Sequence, residues 1–270
     1  MLTVRVAGFL IINPRAGDER PSADELRDEA ERRGVTTHVL QEGEDVAEIA
    51  RSTPAGPVGM AGGDGSLAPV AEVALERGVS FVAIPFGTRN HFARDLGFDR
   101  DDPIGALDSF SGQERQIDVG RANGRLFLNN VSLGVYARLV HRREHHRRRR
   151  AVLARLRALA LLAQQPGALG LRIDGEPISA RIVLVANNAY KLDLFSLGER
   201  ERLDEGLLHL YSAEGLLPGN WEERTGERFE IDSGAGWLRA AIDGEPERLD
   251  TPIEFTIEPQ GLRVLVPKGC

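Results

Sequence analysis

Short runs of aliphatic and β-branched residues alternate with charged stretches of helical spacing through the first 118 residues. The apolar runs at 5–12, 36–40, 58–61 and 81–84 predict strands, and the stretches 22–33, 45–51 and 67–77 predict helices between them. Start and stop signals agree with these limits. Ser22 with Glu25 three positions on makes a capping box, and Gly34 and Gly78 follow the last turns of the first and third helices. Strand and helix in alternation is the mark of a parallel sheet with helices packed on it.

After Asp118 the period changes to alternating apolar and polar residues, cut by Asn123-Gly124, Asp174-Gly175 and Asp243-Gly244. Each pair suits a two-residue hairpin loop that needs positive φ. The chain therefore predicts two domains. Residues 1–118 form an α/β domain with a parallel sheet. Residues 119–270 form a mostly antiparallel β-sandwich interrupted by one helix over 133–165, and the last strand is free to return to the first domain. No repeat of solenoid period and no low-complexity linker is present.

Length and composition fit this picture: 270 residues, 41% hydrophobic and 28% charged, describe a soluble globular chain with enough material for two cores. The one cysteine, Cys270, excludes an intramolecular disulfide and a cysteine metal site. The start lacks a signal-peptide cleavage pattern, and no apolar run reaches the length of a membrane span, so the expected location is cytoplasmic. Only two of the 34 basic residues are lysines, Lys191 and Lys268, and neither lies in a Walker-A loop. The net charge of −7 conceals a division: residues 138–157 hold nine arginines and one acid, which leaves the rest of the chain about fifteen charges negative. An acidic remainder with three tyrosines and two tryptophans argues against nucleic acid as a partner.

The strongest chemical signal is the strand–loop–helix segment VGMAGGDGSLAPVAE at 58–72. Gly62, Gly63 and Gly65 allow close backbone approach, Ser66 adds a hydroxyl, and the helix start supplies N–H groups for a phosphate. Asp64 beside a phosphate calls for a cation between them, which points to Mg²⁺ held directly or through water. Glycines alone are equally compatible with a plain strand-to-helix turn. The segment FVAIPFGTRNHFARDLGF at 81–98 repeats the design, with Thr88 and Asn90 as donors to phosphate, or with Thr88 capping the next helix.

INPRAG at 12–17, GGDGS at 62–66, PFGTRNHFARDLG at 85–97, DVG at 118–120 and IDGEP at 242–246 together resemble the diacylglycerol-kinase-like lipid kinases in order and spacing, over nearly the whole chain. The resemblance implies an α/β nucleotide domain, a β-sandwich lipid domain and ATP-dependent phosphorylation of a lipid hydroxyl in the cleft. It places Asn13 and Thr88 on ATP, the 62–66 loop on its phosphates, Asp64 and Asp118 in a magnesium network, and Glu245 as the general base. Three departures stand out. Ser66 replaces the usual threonine, His91 stands where an aspartate usually follows the asparagine, and Arg200 or a neighbour replaces an acid that holds a structural metal in some members, so no such metal is expected.

Asp-Gly-Glu-Pro occurs twice, at 174–177 and 243–246; the first copy reads as an ordinary hairpin, and the second falls at the catalytic position of the family. Arg142, Arg143, Arg147, Arg148, Arg149 and Arg150 precede an apolar helical run at 151–163. That pairing suits transient attachment to an anionic membrane surface, and equally a solvated loop or a helix covering the sandwich. The leading expectation is an ATP- and Mg²⁺-dependent kinase of a diacylglycerol-like or sphingoid-like lipid. A kinase of a soluble substrate such as NAD, and a nucleotide- or lipid-binding module that has lost catalysis, stand beside it.

Overall fold

The computed structural model describes residues 8–16, 21–88, 90–134, 170–193, 196–197, 199–214 and 221–268. The chain divides into two compact units, Met1–Asp118 with Gln260–Cys270, and Val119–Pro259.

In the first unit the elements run β1 (Phe9–Ile12), α1 (Ala23–Arg32), β2 (Thr36–Val39), α2 (Val46–Ser52), β3 (Val58–Gly62), α3 (Asp64–Arg77), β4 (Phe81–Pro85), α4 (His91–Asp95) and α5 (Pro103–Ala106). The strands pair in parallel in the order β2-β1-β3-β4. Every residue of β3 and β4 is buried, as expected of parallel strands covered on both faces by crossover helices. The predicted caps form. Ser22 accepts from the Glu25 N–H, the Glu25 carboxylate accepts from the Ser22 N–H, and Gly78 closes α3 at φ +62°.

The second unit begins within β5 (Gln113–Ala122), followed by β6 (Arg125–Phe127), β7 (Asn130–Gly134), β8 (Leu171–Ile173), β9 (Glu176–Ile178), β10 (Ile182–Asn187) and a short pair, β11 (Leu192–Asp193) and β12 (Ser196–Leu197). Then come β13 (Leu208–Ala213), β14 (Trp221–Gly226), β15 (Arg228–Asp232), β16 (Trp237–Ile242), β17 (Glu245–Asp250) and β18 (Ile253–Val266). One antiparallel sheet has the order β14-β13-β10-β7-β16-β17. Against its inner residues, among them Val131, Leu133, Val183, Val185, Leu210 and Ile242, pack Phe127, Ile173, Phe229, Ile253 and Phe255 of the facing strands. Alternate residues of strands such as β15 (Arg228–Asp232) face this core with polar ones between them, whereas β10 is buried on both faces. The three expected hairpin loops all form, with φ of +48° and +80° at Asn123-Gly124, +51° and +83° at Asp174-Gly175, and +48° and +89° at Asp243-Gly244.

Two strands run through the division of the chain. β5 crosses it at Asp118, and β18 pairs antiparallel with β15 in its first half and meets β4 in parallel through Val264 opposite Phe81. Leu133 and Gly134, expected to open a helix, instead end β7. β7 pairs with both β10 and β16, and two ladders outweigh the helical spacing read from sequence. Residues 135–165 of that expected helix, and the arginine stretch with its apolar run, lie outside the described residues. Among the described residues no helix is long and apolar enough to cross a membrane.

Candidate active site

The order β2-β1-β3-β4 reverses direction between β1 and β3, and the crevice beyond the carboxyl ends of strands at such a switch point is where ligands bind in open α/β sheets. Asn13 follows β1 there, and its backbone N–H donates to the Ala61 carbonyl of β3 at 2.9 Å. Its Oδ1 accepts from the Arg15 N–H at 3.0 Å, which folds the 13–16 turn and makes no use of the side-chain amide nitrogen.

After β3 the helix starts at once. Asp64, Gly65 and Ser66 form the first turn of α3, three residues earlier than the sequence suggests, so the glycine loop is in fact a helix N-terminus. The other two long helices of this unit are capped by side chains, Ser22 and Asp45, whereas α3 has Gly63 as N-cap and no side-chain cap. First-turn N–H groups of a helix have no intrahelical acceptor, and with the positive end of the dipole they suit a phosphate. Ser66 turns its hydroxyl back to the Gly63 carbonyl at 2.7 Å.

The second loop is bound to the first through Asp64. Its Oδ1 accepts from the Phe92 N–H at 2.9 Å and its Oδ2 from the His91 N–H at 3.2 Å, so a carboxylate from α3 caps the start of α4. Thr88 is exposed and does not cap that helix; the N-cap position belongs to Asn90 at φ +50°. The Asn90 amide, expected to meet a phosphate, is buried and committed to the fold: Oδ1 accepts from the Gly87 N–H, and Nδ2 donates to the carbonyls of Gly87 and Arg100 at 2.8 and 3.3 Å. Arg89 lies outside the described residues. Asp64→Ala is expected to lower stability by about 0.5–2 kcal/mol, as loss of a helix cap does, and to weaken nucleotide binding with it. Thermal unfolding and titration calorimetry read the two effects.

Asp118 is buried in β5 and accepts from the Gln260 N–H at 2.8 Å, pinning the point where β18 bends at φ +52°. Asp64 and Asp118 therefore both hold backbone, and among the described residues no three acidic, histidine or cysteine side chains gather into a metal site. Among the described residues, Asp64 and Asp118 do not by themselves make a magnesium cage built by the protein.

The two Asp-Gly-Glu-Pro copies differ in what their aspartates do. Asp174 is exposed and accepts one N–H, from Glu230 at 2.8 Å. Asp243 is buried and accepts three, from Leu128 at 2.8 Å, Asn129 at 2.7 Å and Asn130 at 3.1 Å. Glu245, exposed at the start of β17 opposite Ile242, rides on that anchored turn. Sequence shows two equal turns, because burial of the aspartate depends on a segment more than a hundred residues away. Asp243→Ala leaves three N–H groups without their acceptor and is expected to cost about 3 kcal/mol or more, and Asp174→Ala under about 1 kcal/mol, in denaturant unfolding.

The first unit is thus an open parallel α/β sheet with a helix N-terminus that lacks a side-chain cap at its switch point, and the chain continues into a β-sandwich. The sequence profile of the diacylglycerol kinase catalytic domain matches residues 7–122. A probable YegS-like lipid kinase of Pseudomonas fluorescens is 30% identical over 230 residues, which cover 77% of this chain and 76% of the relative. Its counterpart in Pseudomonas aeruginosa is 29% identical over 239 residues with the same coverage. The crystal structure of a Bacillus anthracis diacylglycerol kinase superposes with a TM-score of 0.69 over 97% of each chain at 17% identity. The chain belongs to the diacylglycerol-kinase-like lipid kinase family and is a phosphotransferase.

Proposed function

We propose that this kinase transfers the γ-phosphate of ATP to the hydroxyl of a membrane-derived lipid of the diacylglycerol or sphingoid type. The observation that supports the reading most directly is the N-terminus of α3 at the switch point, where Gly63 is the N-cap and no side chain caps the helix. In this reading the backbone from Gly62 to Ser66 cradles the phosphates, Asn13 contributes its amide, and Thr88 its exposed hydroxyl. Asp64 positions both loops.

Phosphoryl transfer needs in-line placement, neutralised phosphate charge and an acceptor for the hydroxyl proton. Glu245 takes that proton as the lipid oxygen attacks the γ-phosphorus and the bond from that phosphorus to the β-phosphate oxygen breaks, releasing ADP. Magnesium, if it accompanied the nucleotide, would supply neutralisation of the phosphate charge. The arginines between Arg142 and Arg150 draw the enzyme to anionic membrane surfaces, where its substrate resides.

Incubation with ATP, Mg²⁺ and mixed micelles containing diacylglycerol, a sphingoid base or a monoacylated lipid, followed by chromatography of the lipid fraction, tests the proposal. A phosphorylated lipid in one arm is the expected result. ATP binding with no phosphorylated lipid in any arm would instead indicate a binding module, and phosphorylation only in a parallel arm with NAD in place of lipid would indicate a kinase of soluble substrates.

A further inference from the structure

The segment 128–130 joins β6 to β7 and is gripped from both sides of its backbone. Its three N–H groups donate to Asp243, and the Asp243 N–H donates in return to the Asn130 carbonyl at 2.9 Å. The other side of the segment belongs to Arg200. Its Nη1 donates to the carbonyls of Leu128 and Asn187 at 2.8 and 3.0 Å, and its Nη2 donates to Oδ1 of Asn129 at 2.7 Å. Arg200 is only 4% exposed, and its guanidinium lies 5.4 Å from the centre of the Tyr190 ring. The Tyr190 hydroxyl in turn accepts from Nδ2 of Asn130 at 3.3 Å.

A buried guanidinium is an expensive way to fill space, since removing it from water costs several kcal/mol that apolar residues of similar volume would avoid. Its distinctive contribution is a rigid fork of donors, which fixes several acceptors in one plane as a lysine cannot. Here the fork fixes the segment whose N–H groups hold Asp243, two residues before Glu245. We propose that Arg200 is a positioning residue for the reaction: through 128–130 and Asp243 it sets the orientation of the turn that presents Glu245. The inference rests on Glu245 being the general base.

A double-mutant cycle with the full-length protein tests it, using Arg200→Lys, Glu245→Gln and the pair. Arg200→Lys is expected to keep its KM for ATP within about twofold, to lose roughly 10- to 100-fold in kcat as misplaced catalytic groups do, and to add nothing once Glu245 is replaced. Asn129→Ala supplies a second probe that leaves the arginine in place. Its side chain hydrogen-bonds to Arg200, and its removal should lower kcat in the same direction, again without effect on the Glu245→Gln background.

Losses that multiply in the double variant, or a wild-type kcat in both Arg200→Lys and Asn129→Ala, would overturn the proposal while leaving Glu245 as the base. If Arg200→Lys fails to fold, the cycle of Asn129→Ala with Glu245→Gln decides by the same criterion. A wild-type rate for Glu245→Gln alone would remove the base assignment, and the role of Arg200 would fall with it.

Discussion

Glu245→Gln is expected to lower kcat by roughly 10²–10⁴-fold, the usual contribution of a general base, while ATP binds with nearly unchanged affinity. Glutamine has almost the same shape and retains an oxygen that can accept a hydrogen bond from the lipid hydroxyl, but it cannot take the proton away. The fold should not suffer, because Glu245 is exposed at the first residue of β17 and the turn before it is anchored by the buried Asp243. Steady-state kinetics with calorimetric ATP titration separates the two effects. A variant with full turnover would move the base elsewhere, and one with lost ATP affinity would give Glu245 a binding role.

Gly87→Ala is expected to damage both stability and nucleotide binding. A Cβ on residue 87 would lie 2.4 Å from the Cα of Gly63 and 2.9 Å from its nitrogen, and neither atom can move without displacing the start of α3. Overpacking of this kind typically costs about 1–3 kcal/mol, and here the strain falls on the backbone proposed to hold the phosphates. Gly62→Ala makes a useful contrast. Its added carbon would meet the Ser66 hydroxyl at 2.1 Å, a side-chain atom that can rotate away by giving up one hydrogen bond to Gly63. The unfolding midpoint and the ATP Kd should both change more for Gly87→Ala than for Gly62→Ala. Equal behaviour of the two variants would show that the contact between the loops is looser than these distances require.

The elements legible in sequence were those set by local chemistry. The Ser22 capping box, the stop at Gly78 and the three Asx-Gly hairpins each depend on a few consecutive residues, and each forms as the sequence predicts. The strand-to-helix glycines were equally plain. What stayed hidden depends on partners distant in the chain. Asp64 reads from sequence as a metal ligand, and its hold on the N–H groups of His91 and Phe92, 27 and 28 residues on, cannot be read there. Asn90 looks like a phosphate donor until its left-handed backbone turns the amide back onto Gly87.

Asp243 and Arg200 were hidden for the same reason. Asp243 shares its tetrapeptide with Asp174, and only contact with 128–130 separates a buried anchor from a surface turn. Arg200 enters the sequence reading only as a replacement for a metal-holding acid, and its enclosure by carbonyls from two other segments is set by contacts distant in the chain. The helix expected from 133 failed at its first two residues, where pairing with two strands decided the outcome.

The central claim is transfer of the terminal phosphate of ATP to a lipid hydroxyl, and the most direct measurement follows the label itself. The protein is incubated with Mg²⁺ and dispersed diacylglycerol, or a sphingoid base, together with ATP labelled at either the γ- or the α-phosphorus, and the lipid is extracted. Label in the lipid from γ-labelled ATP and none from α-labelled ATP is the predicted result. Absence of label from every lipid, from a folded protein that binds ATP, would contradict it.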